Sequence, residues 1–394
     1  MRMRSSGTHP GWVFAVLGLA WLAPAAAQEP AGPRLTPIVA YVLSAPHAVR
    51  GSDGAQHLVY ELQIENITDG RIALKRLVVR DAGGAAVGQL DTQELGTRFS
   101  LGGRRGSETS ALDSSQFGVV FLHVTIPKTA PLPSSLTHLI EGYSEKAHRD
   151  FSFPLAPTKV VSTEPLVLGA PLHGKGYVAA DGCCDSMRHV RALLALDGLF
   201  YLGQRFAIDW EKIDSDARIY KGDAKSTGSY RIYGEPVFAV ADGTVVASRN
   251  DLDDQVPGKL PEGLALDEVD GNFAIIELRP GIYALYAHMR KGSVTVNAGA
   301  HVHRGEQIGN VGNTGNTQAP HLHFQLMDAP SALAANGLPY VFEEYQVTGI
   351  DPAGTADFDR AEATGERMTL RPYKPPMEEK ASLPLDLSVV TWSK

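Results

Sequence analysis

Residues 310–326 read NVGNTGNTQAPHLHFQL and carry the most informative pattern in the chain. Side chains alternate along a strand, so His321 and His323 should project from one face while Leu322 points into a core. Two neighbouring imidazoles suit a metal site in which one ring binds the ion and the other handles a proton. An isolated His-x-His alone would equally describe two solvated or core histidines.

The residues before this motif favour a site. Gly312 and Gly315 are expected to allow backbone turns with positive φ, and Pro320 leads into the extended segment. A second His-x-His, at His301 and His303, lacks this glycine lead-in and lies in a turn region. We therefore predict that the second pair belongs to a surface loop.

The composition favours a mainly β protein of two or three domains. Among 394 residues, 43% are hydrophobic and 20% are charged, which excludes wholesale disorder and a coiled coil. The 40 glycines and 25 prolines indicate many turns. A net charge of −8 argues against a general nucleic-acid-binding surface, so no nucleic-acid partner is predicted.

The N-terminal segment resembles an export signal. Two arginines precede a short apolar run at residues 12–24, and three alanines at 25–27 form a small-residue cleavage site. We predict a signal peptide at 1–27 and a linker at 28–36, with a retained anchor as the alternative. No later segment has 18 uninterrupted apolar residues, so no stable membrane span is predicted after cleavage. The expected location is periplasmic or secreted.

Residues 37–157 contain short strand patterns separated by turn residues. The clearest strands are predicted at 57–67, 72–80 and 117–126, where apolar residues alternate or cluster. This spacing predicts an immunoglobulin-like β-sandwich. Its acidic residues and histidines are scattered, so we expect it to position the chain or to contact cell wall or protein rather than to catalyse.

The chemical motifs all fall in the next predicted domain, residues 158–350, which a C-terminal tail at 351–394 follows. Several segments occur in the order typical of M23 zinc metallopeptidases, the lysostaphin and LytM-like peptidoglycan endopeptidases, and the chain resembles this family over about residues 170–345. These segments are PVFAVADGTVV at 236–246, GNFAII at 271–276, YAHM at 286–289, residues 296–312, and the run at 315–324 that ends in HLHF.

The resemblance implies an antiparallel β-sheet domain and one zinc ion per chain. His323 and Asp209 match metal ligands of the family, and His288 and His321 match its two catalytic histidines. Imidazole and carboxylate groups are ordinary zinc ligands, and a catalytic zinc keeps one position open for water. Nearby histidines can move a proton or stabilise a developing oxyanion.

One position departs from the family pattern. The family has a histidine ligand four residues before the aspartate, and Arg205 occupies that position here. Arginine has no lone pair to offer a metal. We predict that His189 supplies the third ligand, because Asp197-Gly198 should fold a strand at 189–196 back onto one at 199–209. A cysteine, His173 or no replacement at all are the alternatives.

Other features of this domain have open interpretations. Cys183-Cys184 could bind metal, form a disulfide or be small buried residues. The segments 211–233 and 250–270 are long enough to be lids or mobile loops beside a groove, and 250–270 is strongly acidic. An acidic rim would suit a substrate with free amino groups.

Together these features predict an exported zinc metalloendopeptidase that hydrolyses amide bonds in peptidoglycan peptides. The alternative is a non-catalytic M23-like protein that binds or activates other cell-wall hydrolases, since Arg205 could mark a lost ligand. The enzyme hypothesis is favoured because the chain retains His288, His321, His323 and Asp209.

Overall fold

A computed structural model describes residues 1, 32–102 and 109–392. The predicted signal peptide and the start of the linker fall almost wholly outside these residues. Within the described part, no helix is both long and apolar enough to cross a membrane. Residues 1–36 form one unit, and residues 37–394 form a second unit that contains every element discussed below.

Two five-stranded sheets form the first half of the second unit. In one sheet the strand order is β1-β3-β8-β6 with β2 on β3, and in the other it is β10-β9-β4-β5 with β7 on β4. The elements are β1 (Ile38–Val42), β2 (His47–Arg50), β3 (Gln56–Asn66), β4 (Ile72–Asp81), β5 (Ala86–Leu90), α1 (Thr92–Arg98), β6 (Phe99–Leu101), β7 (Ala111–Leu112), β8 (Phe117–Ile126), β9 (Ser135–Ser144) and β10 (Arg149–Lys159).

The two sheets enclose one hydrophobic core. Leu62 of β3 packs in the same buried cluster as Leu77 of β4 and Ile140 of β9. Side chains along β9 alternate between buried and half-buried, as expected for a strand with one face in a core. The three predicted strands are confirmed to within one residue by β3, β4 and β8. The two-sheet packing is compatible with a sandwich, and the immunoglobulin-like topology stays a prediction.

The second half is built on one large, mainly antiparallel sheet, in the order β11-β24-β26-β12-β15-β22-β19-β18-β17-β20, with β23 on β22 and β25 on β24. The elements are β11 (Leu166–Leu168), β12 (Gly174–Ala180), β13 (Leu194–Leu196), β14 (Leu199–Tyr201), β15 (Ile208–Lys212), β16 (Pro236–Phe238), β17 (Gly243–Arg249), β18 (Asn272–Arg279), β19 (Ile282–Met289), β20 (His301–Val302), β21 (Gln307–Asn310), β22 (Leu322–Met327), β23 (Gly337–Leu338), β24 (Tyr340–Ile350), α2 (Thr355–Thr364), β25 (Arg371–Ser382) and β26 (Ser388–Trp392). The mainly β fold is therefore confirmed.

The segment after residue 350 is part of this sheet. It contributes α2, β25 and β26, and β26 lies between β24 and β12. Its last strand therefore lies in the interior of the sheet and not at an edge. Val390 is fully buried and Trp392 is 2% exposed. A strand that is buried on both faces gains more from an interior position than from an edge.

The hairpin expected before Asp209 is shorter than predicted. Asp197 and Gly198 form its turn, with φ of 49° and 82°. However, only β13 and β14 pair across it, and His189 lies in a run of turns outside the strand. A turn from His189 to Ala192 ends the strand pattern. The predicted strand pairing of 189–196 with 199–209 is therefore wrong, although the hairpin turn itself is correct.

Candidate metal and catalytic site

Three adjacent strands deliver the central side chains of the site. Asp209 of β15 lies directly opposite His323 of β22, and His323 lies opposite Ala287 of β19. Directly opposed residues project from the same face of a sheet and bring their side chains together. His288 follows Ala287 at the end of β19, and His321 immediately precedes β22.

The carboxylate of Asp209 lies at the centre of three imidazoles. Its Oδ1 atom is 2.8 Å from Nδ1 of His323 and 3.4 Å from Nε2 of His321. Its Oδ2 atom is 3.2 Å from Nε2 of His189. One potential ligand atom from each of His189, Asp209 and His323 lies within 4.8 Å of the others. The structure thus brings together the three residues predicted as ligands, and their role as ligands stays a prediction.

Hydrogen bonds on the outer sides of the rings fix which nitrogen faces Asp209. A carbonyl oxygen can only accept, so His189 donates from Nδ1 to the carbonyl of Asp181 at 2.8 Å. His323 donates from Nε2 to the amide oxygen of Gln325 at 2.9 Å. In neutral rings the nitrogens that face Asp209 therefore carry lone pairs.

Lone pairs that face a carboxylate at about 3 Å repel it unless a proton or a metal cation lies between them. The donor set of two imidazoles and one carboxylate, held by outer hydrogen bonds, fits zinc.

The electrostatics of the site favour positive charge beside Asp209. Burial alone would raise the pKa of Asp209, but His189 and His321 lower it well below the usual range. Burial lowers the pKa of His189, and Asp209 more than reverses this and raises it to about 9. Asp209 likewise raises the pKa of His321 against the effect of burial. The buried carboxylate of Asp209 thus stabilises positive charge on the imidazoles around it.

His288 has a different environment from the other histidines. Burial lowers its pKa well below the usual value, and the neighbouring His321 and His323 lower it further. Its Nδ1 donates to the carbonyl of Thr314 at 2.8 Å. The backbone of His288 is left-handed, with φ of 61°, and its ring centroid lies 4.7 Å from that of His321. Such a conformation is uncommon for a non-glycine residue and is found preferentially at functional sites.

Glycines allow the loop before β22 to pass close to its neighbours. Gly315 has φ of 81°, as predicted. Gly312 lies outside the positive-φ region, and the expectation for it is wrong; a Cβ there would lie 2.3 Å from the backbone nitrogen of Arg290. A Cβ on Gly271 would lie 2.2 Å from the carbonyl oxygen of Thr314, the acceptor for His288. Glycine at 271 and 312 therefore permits close backbone contact at the site.

The other candidate ligands lie elsewhere. Arg205 points away from the site toward Glu61 on β3. His173 stacks on Phe238 with ring centroids 4.0 Å apart. Cys183 and Cys184 form a disulfide. The second His-x-His pair is exposed as predicted, but His301 lies in the short strand β20 and not in a loop.

A cavity of about 470 Å³ opens over the site. The segment 250–270 lines it through Leu260, Leu266, Val269 and Asp270, and α2 lines it through Phe358 and Glu362. The wall formed by 250–270 is thus largely apolar despite its many acids, while 211–233 contributes only Glu211 to the lining. Burial and then Glu362 raise the pKa of Glu211 well above its usual value. The groove therefore combines apolar walls with a buried acidic corner.

Sequence reasoning missed residues that orient the histidines. Gln325 follows His323 by two positions and shares its strand face, so the alternation of β22 could have identified it. Asp181 supplies only its carbonyl to His189, and a backbone contact gives no signal in the residue type. Asp270 lines the cavity, and burial raises its pKa to about 6.

Comparison with known proteins finds a family match over part of this chain. Residues 229–335 match Peptidase family M23. Over 188 residues the chain is 33% identical to the peptidoglycan DD-endopeptidase ShyA of Vibrio cholerae, covering 43% of this chain and 39% of that protein. It is 34% identical over 98 residues to the cell division protein DipM of Caulobacter vibrioides, covering 25% of this chain and 13% of DipM. The chain thus spans less than half the length of both curated relatives.

The solved structures similar to this chain include the catalytic domain of lysostaphin from Staphylococcus simulans, which is 23% identical to it with a TM-score of 0.22. The match covers 42% of this chain and 88% of that domain. The family match includes His288, His321 and His323, whereas His189 and Asp209 lie before it. This chain therefore contains a peptidase family M23 domain, which includes residues 229–335.

Proposed function

We propose that this chain is an exported zinc metalloendopeptidase that hydrolyses amide bonds in the peptide part of peptidoglycan. The observation that carries the proposal is the convergence of His189 and His323 on the carboxylate of Asp209. The similarity to ShyA, a peptidoglycan DD-endopeptidase, supports the substrate class. The signal-like N-terminal sequence supports export to the periplasm or beyond.

His189, Asp209 and His323 would hold one zinc ion. Zinc bound there would polarise the scissile carbonyl and acidify a water molecule. The Asp181 carbonyl and Gln325 fix the tautomers of the two imidazoles, so that each ring presents a lone pair toward the carboxylate of Asp209. Such outer hydrogen bonds orient metal ligands and raise their basicity.

The two remaining histidines suit different tasks. The pKa of His288 is low, and its Nδ1 proton is committed to the Thr314 carbonyl, so its Nε2 is available to accept a proton from an attacking water. His321 donates from Nδ1 to the Ala319 carbonyl and lies beside Asp209. Its Nε2 is suited to carry a proton and to stabilise negative charge on the scissile carbonyl.

The position of Arg205 supports the enzyme over the regulatory alternative. Its guanidinium pairs with Glu61 away from the groove, and His189 lies beside Asp209 instead. If the arginine side chain lay beside Asp209, where the family has its histidine ligand, it would put a second positive charge at the site.

The test is digestion of purified peptidoglycan by the purified chain, with products separated by liquid chromatography and identified by mass spectrometry. We expect new amine and carboxyl ends in the peptides and one zinc per chain. Asp209→Ala and His189→Ala should abolish both results, while His303→Ala, a change at an exposed histidine, should keep both. Intact peptides after digestion with the zinc-loaded wild type would reject the enzyme and favour the regulatory alternative.

A further inference from the structure

Among the described residues, a second cluster of metal-binding side chains lies between the first sheet and the segment after β12. His57 of β3 and His123 of β8 come from paired strands, and Cys184 approaches them from the loop after β12. One potential ligand atom from each of the three lies within 4.8 Å of the others. His57 and Cys184 are buried, and His123 is partly buried.

The two imidazoles face each other through one nitrogen each. Nδ1 of His57 lies 2.9 Å from Nε2 of His123, and Thr125 Oγ1 lies 3.3 Å from the same Nε2. Each outer nitrogen meets a carboxylate: Asp53 at 3.1 Å from His57, and Asp185 at 3.0 Å from His123. Metal-binding histidines almost always have such an outer partner, which fixes the ring and directs the other nitrogen inward.

The sulfur of Cys184 can act as the third ligand only when its disulfide with Cys183 is reduced. In the structure it is bonded to Cys183, and a disulfide sulfur is a poor metal ligand. A dithiol reductant supplies two electrons and two protons, which convert the disulfide into two thiols while the dithiol becomes a disulfide. The thiol of Cys184 can then lose its proton to a bound metal.

We propose that reduction of Cys183–Cys184 opens a second transition-metal site, formed by Nδ1 of His57, Nε2 of His123 and the thiolate of Cys184. Two imidazoles and a thiolate select zinc-like ions over calcium or magnesium, which prefer oxygen ligands. Tetrahedral zinc places such ligand atoms about 3.3–3.6 Å apart, given its bond lengths. The 2.9 Å nitrogen pair would open slightly, and the freed Cys184 sulfur would move inward.

This site would connect two parts of the fold. His57 and His123 belong to the first sheet, whereas Cys184 and Asp185 precede His189 by a few residues in the same loop. A metal bound there would fix the loop that also carries a ligand of the first site. The assignment does not depend on peptidase activity, because no residue is shared between the two sites.

Cobalt binding to the full chain distinguishes the sites, because cobalt–thiolate bonds absorb in the near ultraviolet. We expect the oxidised wild type to bind one Co²⁺ per chain without thiolate absorption, and the reduced wild type to bind two with it. Cys183→Ser leaves Cys184 without a disulfide partner, so this variant should show the absorption without reductant. The matched variant Cys184→Ser should bind one Co²⁺ per chain and show no thiolate absorption, with or without reductant.

Two further variants separate this proposal from the peptidase proposal. His189→Ala should lose the cobalt without thiolate absorption and keep the other equivalent. Asp185→Asn should weaken the thiolate site by about 10–100-fold, as expected for loss of an outer carboxylate. If Cys183→Ser binds no more cobalt than Cys184→Ser and shows no thiolate absorption, the second site does not exist, whatever happens at the first.

Discussion

The guanidinium of Arg205 donates two parallel hydrogen bonds, each of 2.8 Å, to the carboxylate of Glu61. Both side chains are buried, and a third bond of 3.1 Å joins Arg205 to the carbonyl of Gly337. The residue at the family's usual ligand position thus connects the large sheet to β3 of the first sheet. We therefore expect a structural role for Arg205, and we propose His189 as the metal ligand in its place.

Removing one partner of this pair should destabilise the chain strongly. Arg205→Ala or Glu61→Ala leaves a buried charge without a partner, which costs about 3–5 kcal/mol. Urea unfolding should detect the loss in either single variant. The double variant Arg205→Met with Glu61→Leu should recover most of the stability and still bind one zinc. Loss of zinc in a folded double variant would contradict the assignment of Arg205 outside the site.

Substitution of the two histidines outside the proposed ligand set should lower turnover without removing the metal. His288→Ala and His321→Ala should each retain one zinc and lower kcat on peptidoglycan peptides by about 10²–10⁴-fold. Zinc content and turnover measured on the same sample check this. Unchanged turnover in either variant would remove that histidine from the mechanism.

Gln325 should act on the metal only through His323. Gln325→Leu removes the acceptor for Nε2 of His323, and we expect zinc affinity to fall by about 10–100-fold. Gln325→Glu keeps an acceptor and should restore most of the affinity, as measured by competition with a chelator. Equal affinities in the leucine variant and the wild type would contradict this positioning role.

A matched pair of glycines tests the close backbone contact at the site. Gly271 and Gly281 both have positive φ, of 63° and 76°, but only Gly271 lies against Thr314. Gly281→Ala should cost about 1–2 kcal/mol from backbone strain alone. Gly271→Ala adds steric overlap, for a total of about 2–5 kcal/mol, and should lower activity by displacing the acceptor of His288. Similar unfolding free energies for the two variants would contradict this argument.

His138 should make the chain less stable in acid. Burial lowers its pKa in the folded state to about 4, while the unfolded value is about 6.5. Between these values the unfolded chain binds more protons, so stability is complete above pH 6.5 and falls by up to about 3 kcal/mol as the pH drops toward 4.

Urea unfolding from pH 7 to 4 checks this expectation. His138→Gln should show a shallower decline than the wild type, whereas His303→Gln, at a side chain that is 79% exposed, should follow the wild type. An unchanged decline in His138→Gln would assign the acid sensitivity to other groups.

Local sequence patterns predicted the features that depend on contacts between residues close together in the chain. Alternation placed His323 on the site face of β22 and Leu322 in the core, where it is fully buried. The hairpin turn at Asp197 also followed from residue type. In both cases the deciding contacts lie within a few residues of the motif.

Contacts between residues far apart in the chain could not be predicted from the sequence. Arg205 and Glu61 are 144 positions apart, and nothing in the pattern around Arg205 identifies its partner. The position of His189 was predicted from a strand register that does not exist, although its ring does lie beside Asp209. Turns between His189 and Ala192 carry the ring there instead, and turn geometry depends on the surrounding fold.

The interior position of β26 constrains the order in which the chain can fold. On the ribosome, β12 and β24 emerge before residues 388–392 exist, so a gap remains between them in the sheet. During that interval both strands expose unpaired backbone groups, which favour pairing with other chains. The sheet that holds Asp209 and His323 can therefore be completed only after synthesis has passed Trp392.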